Sequence, residues 1–353
     1  MILTAASSLF GAAAWWRRRW YTRDPGRQRH LSRPVVSVGN LCAGGSGKTP
    51  VVEQIARLLV ARGERPAILT RGYARRRALD GVTVVSDGSK ILAGLDTAGD
   101  EPLMLARALP GVPVLVAADR YLAGRLAERQ LGATVHLLDD GFQHLALARD
   151  VDLLLVAEED LTDRILPAGR LREPLPAAAS ADALLTAAEG DPADRLRQAL
   201  RVEPMFHVRR ALGQARWVSG HDSAVPSGSI VFAVSGVARP ERFLADIAAA
   251  GWQVGGTIVF PDHHPFTDLD VDRIARAARA AGAGVVLTTV KDAVRFEACH
   301  VGNLPLAAVP LGVTIEPEIA FRDWLFARIQ SHSLASRPHA LTAVLAPDSG
   351  SPR

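Results

Sequence analysis

"VGNLCAGGSGKTP", residues 38–50, runs an apolar stretch into a glycine-rich turn and then into Lys-Thr-Pro. The stretch before it, "VVSVGN", reads as a strand, and "KTPVVEQIARLL" after it reads as a helix. That is the setting a phosphate-binding loop needs. Gly44, Gly45 and Gly47 free the backbone to turn its N–H groups inward, and Ser46 lies among them. The positive end of the helix dipole points at the loop. Lys48 can reach β- and γ-phosphates, and Thr49 can offer its hydroxyl to Mg²⁺. Pro50 costs little in a first helical turn. The strict pattern G-x-x-x-x-G-K-[ST] wants glycine where Cys42 stands, so the loop could also be a plain strand-to-helix turn.

The surrounding chain supports the nucleotide reading. From residue 34, short β-branched runs alternate with helical segments, and the expected strands are 35–38, 67–70, 114–117, 135–138, 152–156 and 183–186. Val51, Val52, Ile55, Leu58 and Leu59 recur at helical spacing between the first two. Strand–helix alternation of this kind argues for a doubly wound parallel sheet of P-loop type. "VHLLDDGFQH" ends an apolar run in Asp139 and Asp140, and Asp139 is the better candidate for a Mg²⁺-coordinating acid of Walker B type. The DxxG and NKxD spacings of a guanine-specific switch are not met.

A second, smaller α/β alternation follows a break at residues 201–225, where "MFHVRRALGQARWVSG" reads as a strand pair or ribbon. Residues 29–200 are expected as the P-loop domain, 226–330 as the smaller domain, and 331–353 as a loose tail. A last helix over about 318–329 is expected to close the smaller domain.

The 353 residues are 48% hydrophobic and 22% charged, a globular balance with room for two cores. The net charge of +4 would suit nucleic acid, an anionic membrane or a phosphorylated substrate, and does not choose among them. Cys42 and Cys299 have no CxxC spacing, so neither a disulfide framework nor a zinc site is indicated. Lys48, Lys90 and Lys291 are the only lysines in a chain otherwise dependent on arginine, and two of them fall in motif-like stretches.

Residues 1–16 carry no charged side chain, and "RRRWY" follows. The run is short of the ~20 apolar residues of a membrane span, and its charges follow rather than precede it, unlike a secretory signal. Trp15, Trp16, Trp20 and Tyr21 interleaved with Arg17, Arg18 and Arg19 read as an interfacial helix over residues 1–28. An ordinary buried first helix is the alternative.

Seven stretches, in this order, resemble the tetraacyldisaccharide 4'-kinase family of lipid A synthesis. They are "SVGNLCAGGSGKTP" (37–50), "LTRGYARR" (69–76), "GDEPLMLAR" (99–107), "LLDDGFQHLALARDVDLLLV" (137–156), "LPAGRLREPL" (166–175), "FPDHHPFTDLD" (260–270) and "TTVKDAVRF" (288–296). The resemblance reaches from about residue 15 to 325, and the family's loop similarly lacks the first Walker glycine. It implies an ATP- and Mg²⁺-dependent kinase at the cytoplasmic face of the inner membrane. The acceptor would be the 4'-hydroxyl of an acylated glucosamine disaccharide 1-phosphate, with no nucleic acid partner. By resemblance Lys48 and Thr49 handle phosphates and metal, Asp139 is the Walker B acid, and Asp100 is the base supported by His263. Arg71, Tyr73, Arg120, Gln143, His144, Arg172 and Glu173 match substrate-facing positions. The chain departs from the family at Val290, where glutamate is usual, at "AEEDLTDRILPAG" (157–169), and at "TAAEG" (186–190), which lacks a frequent asparagine.

Read without the resemblance, several of these residues have plainer roles. Asp100 and Glu101 could be helix N-terminal acids, "RGYARRR" could be a solvated basic face, and a lone histidine in a polar loop is commonly structural. His263 and His264 are adjacent, so on extended chain only one can face a given site. The functional alternative is a membrane-associated P-loop ATPase whose hydrolysis switches a partner protein.

Overall fold

Val35–Asn40 forms β1, and its side chains alternate between two cores. Val36 and Val38 pack with Ile68, Val114, Leu137 and Leu153 on one face, while Val35 packs with Leu69, Leu115 and Leu138 on the other. A strand buried on both faces needs a helical layer on each, which is the doubly wound arrangement. The computed structural model describes residues 2–45, 47–73, 75–218, 225 and 228–335.

In chain order the first elements are α1 (Ile2–Thr22), β1, α2 (Lys48–Ala61), β2 (Pro66–Thr70), β3 (Val82–Asp87), α3 (Leu95–Ala98) and α4 (Asp100–Ala108). Then come β4 (Pro113–Ala117), α5 (Arg120–Gln130), β5 (Val135–Asp139), β6 (Val151–Leu155), β7 (Ala183–Thr186), α6 (Asp191–Leu200) and β8 (Met205–Leu212). After these lie β9 (Arg216–Trp217), β10 (Ile230–Ser235), α7 (Pro240–Ala249), β11 (Gln253–Val259) and α8 (Asp268–Ala280). The last described elements are β12 (Val285–Thr289), α9 (Val290–Phe296), β13 (Leu306–Val309), β14 (Leu311–Glu316) and α10 (Glu318–Ala335). Among the described residues nine strands form one sheet in the order β14-β8-β7-β6-β1-β5-β2-β4-β3, and five form another in the order β11-β10-β12-β13-β9. Both sheets are parallel except where β3, β14 and β9 add antiparallel pairs.

The expected strands of the large sheet are all present, and β3 is an edge strand that the sequence reading omits. The strand pair expected over residues 201–225 does not form. β8 pairs with β7 and β14, whereas β9 pairs with β13 of the small sheet. Burial explains the split: Phe206 and Val208 complete the large core, while Ala215 and Trp217 belong to the small one. The last helix also changes allegiance. Val313 and Ile315 of β14 and Phe321, Leu325 and Ile329 of α10 bury in the core beside Val36 and Val38, so α10 closes the large sheet. It continues to Ala335, into the stretch expected as tail; residues 336–353 lie outside the described residues.

α1 is built inside out. Ser7, Gly11 and Arg18 face the body, at the spacing of one helical stripe, while Leu3, Leu9, Phe10, Trp15, Trp16 and Trp20 are exposed. This excludes the ordinary buried helix. Gly11 allows the close approach, since a Cβ there would lie 2.7 Å from Ile165 Cδ1. The backbone N–H of Ala168 donates to Ser7 Oγ at 3.1 Å. Arg18 lies over the Phe142 ring, 4.2 Å from its centroid, and donates to both oxygens of Glu173 at 2.5 and 2.9 Å. No helix among the described residues is long and apolar enough to cross a membrane.

Breaking a buried pair from one side leaves the other charge stranded, a cost of about 3–5 kcal/mol. Glu173→Ala should therefore loosen α1 and speed tryptic cleavage within Arg17–Arg19. The double variant Arg18→Met/Glu173→Leu should recover much of the protection. Equal cleavage in Glu173→Ala and the unmodified protein would show that the pair does not hold the helix.

Candidate active site

The parallel register of β1 and β5 pairs Val38 with Asp139, so the carboxylate sits beside the strand that feeds the phosphate loop. Gly47, at φ 82°, makes the left-handed turn into α2, whose first two residues are Lys48 and Thr49. Gly44, at φ 99°, makes another, and a Cβ on Gly45 would meet Ala238 Cβ at 3.2 Å. The loop is thus pressed against the segment that follows β10. Ser46 lies outside the described residues.

Lys48 Nζ donates to Asn40 Oδ1 at 2.9 Å and lies 3.3 Å from Asp140. Arg172 makes a bidentate pair with Asp140, both contacts at 2.8 Å. Asp140 has φ 58°, a left-handed conformation that aspartate tolerates. Burial works against its charge, but the bonds from Arg172 and the field of Lys48 prevail and hold it well below the ordinary carboxylate range. Asp139 behaves oppositely. It is 3% exposed; burial and then the negative charge of Glu101 push its pKa up to about 7, against the pull of Lys48.

A buried carboxylate beside other carboxylates fits a divalent cation. Among the described residues no group of three or more His, Cys, Asp or Glu side chains forms a metal cage. Thr49 and Asp139 would therefore hold Mg²⁺ together with oxygens of a nucleotide, the sparse protein ligation that Mg²⁺ accepts.

Five of the expected substrate-facing residues meet in one cavity. Arg71, Arg120, Gln143, His144 and Arg172 line a space of about 230 Å³ with Asp140 and Arg17. Arg17 comes from α1, and its Nη1 donates to the Gln143 carbonyl at 3.0 Å. The sequence reading places it only in the interfacial belt; no helical pattern shows that its side chain turns toward the body. His144 is kept neutral here, since burial and then the Arg120 charge bring its pKa down to about 4. Four guanidinium groups against one carboxylate make the cavity a receptor for an anion. Glu173 does not join it, because its carboxylate is committed to Arg18.

Asp100 and His263 come together from opposite sheets. Asp100 opens α4 and its Oδ1 accepts from the Glu101 N–H at 2.9 Å, so the helix-terminal role is also real. Its Oδ2 lies 2.9 Å from His263 Nδ1. His263 has φ 60°, so the chain turns there rather than running extended. His264 accordingly faces elsewhere, with Nε2 3.1 Å from Asp270 and its ring stacked on Phe260. Tyr73 is 73% exposed, its ring centroid 5.7 Å from that of His263.

Around this pair stand residues absent from the expected site. Lys291 Nζ bonds Glu101 at 3.0 Å and Asp262 at 3.3 Å, and lies 3.5 Å from His263 Nε2. Its scarcity in an arginine-dependent chain was the available signal. Val290 opens α9 just before it. Burial raises the Asp100 pKa, yet the His263 hydrogen bond and the charges of Lys291 and Arg295 outweigh it and hold the carboxyl below its ordinary range.

A family model described as tetraacyldisaccharide-1-P 4'-kinase matches residues 1–330. The chain is 38% identical over 322 residues to the tetraacyldisaccharide 4'-kinase of Desulfotalea psychrophila, covering 88% of this chain and 92% of that protein. It is 41% identical over 277 residues to that of Geobacter metallireducens, covering 76% and 80%. Among solved structures it is similar to LpxK of Aquifex aeolicus in complex with ATP, at TM-score 0.73 and 32% identity, over 92% of this chain and 98% of that one.

The raised pKa of Asp139 has a consequence for stability. An acid held near 7 in the fold and near ~3.9 when unfolded costs stability above ~4, increasingly so up to about 7. In nucleotide-free protein with a chelator, Asp139→Asn should therefore raise stability at about pH 8 by roughly 1–3 kcal/mol, the gain fading toward about pH 4. Denaturant midpoints at both pH values check it; a destabilised variant at the higher pH would place the carboxylate in a satisfied ion pair instead.

Proposed function

The chain belongs to the tetraacyldisaccharide 4'-kinase family, and from that premise we propose how its own residues carry the reaction. The protein is an ATP-dependent kinase of lipid A biosynthesis that phosphorylates the 4'-hydroxyl of an acylated glucosamine disaccharide 1-phosphate. Family membership displaces the reading as a switch ATPase.

The single observation that supports the residue roles is the Asp100–His263 hydrogen bond, which joins segments of the two sheets. A sugar hydroxyl is a poor nucleophile near neutral pH, so a base must take its proton as oxygen bonds to phosphorus. Asp100 accepts that proton, and His263, bonded to Oδ2 through Nδ1, orients the carboxylate and shares the charge. Lys48 and the loop N–H groups hold the β- and γ-phosphates, and Lys48 meets negative charge as it develops. Thr49 and Asp139 would hold Mg²⁺, which would neutralise the phosphate oxygens when bound. Arg71, Arg120, Arg172 and Arg17 hold the anionic acceptor, and neutral His144 with Gln143 offers hydrogen bonds to its sugar. Tyr73 stands at the exposed rim.

The exposed apolar face of α1 supports peripheral attachment to the cytoplasmic leaflet of the inner membrane, where Leu9, Phe10, Trp15 and Trp16 would enter the lipid and nearby arginines would meet headgroups. Arg17 then binds acceptor and membrane helix to one another.

Purified protein given labelled ATP and the disaccharide 1-phosphate should consume ATP in proportion to phosphorylated lipid, resolved by thin-layer chromatography. Lys48→Ala should abolish transfer in a folded protein; ATP turnover without acceptor would contradict the kinase roles.

The pair is tested separately. Asp100→Ala should lower kcat by roughly 10²–10⁴, His263→Ala by somewhat less, and the double variant little more than Asp100→Ala. Strictly multiplicative losses would mean the two act independently.

A further inference from the structure

We infer that Arg295 is a positioning residue for the Asp100–His263 pair, holding both members in register and keeping Asp100 ionised. Arg295 is 5% exposed, on α9, a helix in contact with α4. Its guanidinium reaches both halves of the pair. Nε lies 3.4 Å from Asp100 Oδ2, the same oxygen that faces His263. Nη1 donates to the His264 carbonyl at 3.2 Å and Nη2 to the Gly236 carbonyl at 2.9 Å. The Gly236 carbonyl also accepts from the backbone N–H of His263 at 3.3 Å. One side chain thus braces the residue after His263, the carbonyl that ties His263, and the partner carboxylate.

The fork is itself fixed. Asp292 lies 2.6 Å from Arg295 Nη2 and is held by Thr289 Oγ1 at 2.7 Å and by the Gly236 N–H. Among the described residues Arg295 Nε, though buried, makes no hydrogen bond, and it stands beside Asp100 Oδ2. A buried donor left without a bond costs stability, and so calls for an explanation in function. Here it places a fixed positive charge next to the carboxylate without a bond that would compete with His263.

The charged and titratable groups facing Asp100 come from four segments. Glu101 neighbours it on α4; Lys291, Asp292 and Arg295 come from α9; Asp262 and His263 come from the loop after β11; and Arg76 lines the same small cavity of about 40 Å³. Lys291 is already shared between Glu101 and Asp262. Arg295 faces two carboxylates, Asp100 and buried Asp292, so changing Arg295 or Asp292 should move the titration of the pair as a unit.

This inference rests on the proposed role of Asp100 and His263, and the test separates the two. Arg295→Met should lower kcat by about 10–100-fold, leave KM for ATP within about threefold, and move the acid limb of the kcat profile to higher pH by about one unit, because the proton is held more tightly without the cation. Arg295→Lys should return the limb toward its original position while recovering kcat only in part, since charge is restored and the fork is not. Asp292→Asn should move the limb the opposite way, because it leaves the Arg295 charge less neutralised. A role in stability alone predicts lower melting temperatures with an unmoved limb in all three, which would overturn the inference. If Arg295→Met does not fold, the Lys and Asn variants decide it by the same criterion. Failure of Asp100→Ala to impair kcat would instead overturn the proposed pair.

Discussion

A carboxylate that is 4% exposed stays ionised only if cations or donors come to it, and those that reach Asp100 come from across the molecule. Asp100 opens α4 under the large sheet. His263, Lys291 and Arg295 belong to the loop and helix that follow strands of the small one. The two sheets are therefore held together where the chemistry is, and the electrostatic need of one side chain is also a constraint on how the halves dock. Val294, buried in the large core from α9, adds the apolar part of that contact.

The phosphate half of the site was legible because it is local. "GGSGKTP" follows β1 directly, and an apolar run ending in Asp139 is enough to place a carboxylate at the end of the neighbouring parallel strand. The proposed acceptor half came from resemblance, since Arg71, Arg120, Gln143 and Arg172 share a cavity only after four separate segments of the chain converge. What the pattern could not show was allegiance. β8 and β9 are three residues apart and join different sheets, and α10 returns to the first core, because amphipathic spacing says that a face is buried without saying against what. Glu173 illustrates the same limit: its charge type fits a substrate site, but its partner is Arg18, 155 positions away.

On the proposed membrane attachment, α1 links location to chemistry in physical terms. Its inward stripe of Ser7, Gly11 and Arg18 is small or polar, and its outward face holds the large apolar side chains. The ordinary rule for an amphipathic helix is reversed, as it is when lipid rather than a protein core receives the apolar face. Arg18 and Arg17 then turn to opposite tasks, one buried against Glu173 and the other facing the basic cavity. Glu173 is followed by Pro174 and preceded by Arg172, so the helix tether and the Asp140 clamp occupy neighbouring residues of one loop.

The account stands on the claim that the acceptor hydroxyl meets the Asp100–His263 pair. A crystal structure with a non-hydrolysable ATP analogue and the disaccharide 1-phosphate tests it directly. The account predicts the 4'-oxygen at about 2.6–3.2 Å from Asp100 or His263, with its lone pair toward the γ-phosphorus. A 4'-oxygen bonded instead to Asp139 or Asp140, with Asp100 and His263 out of reach, would contradict it.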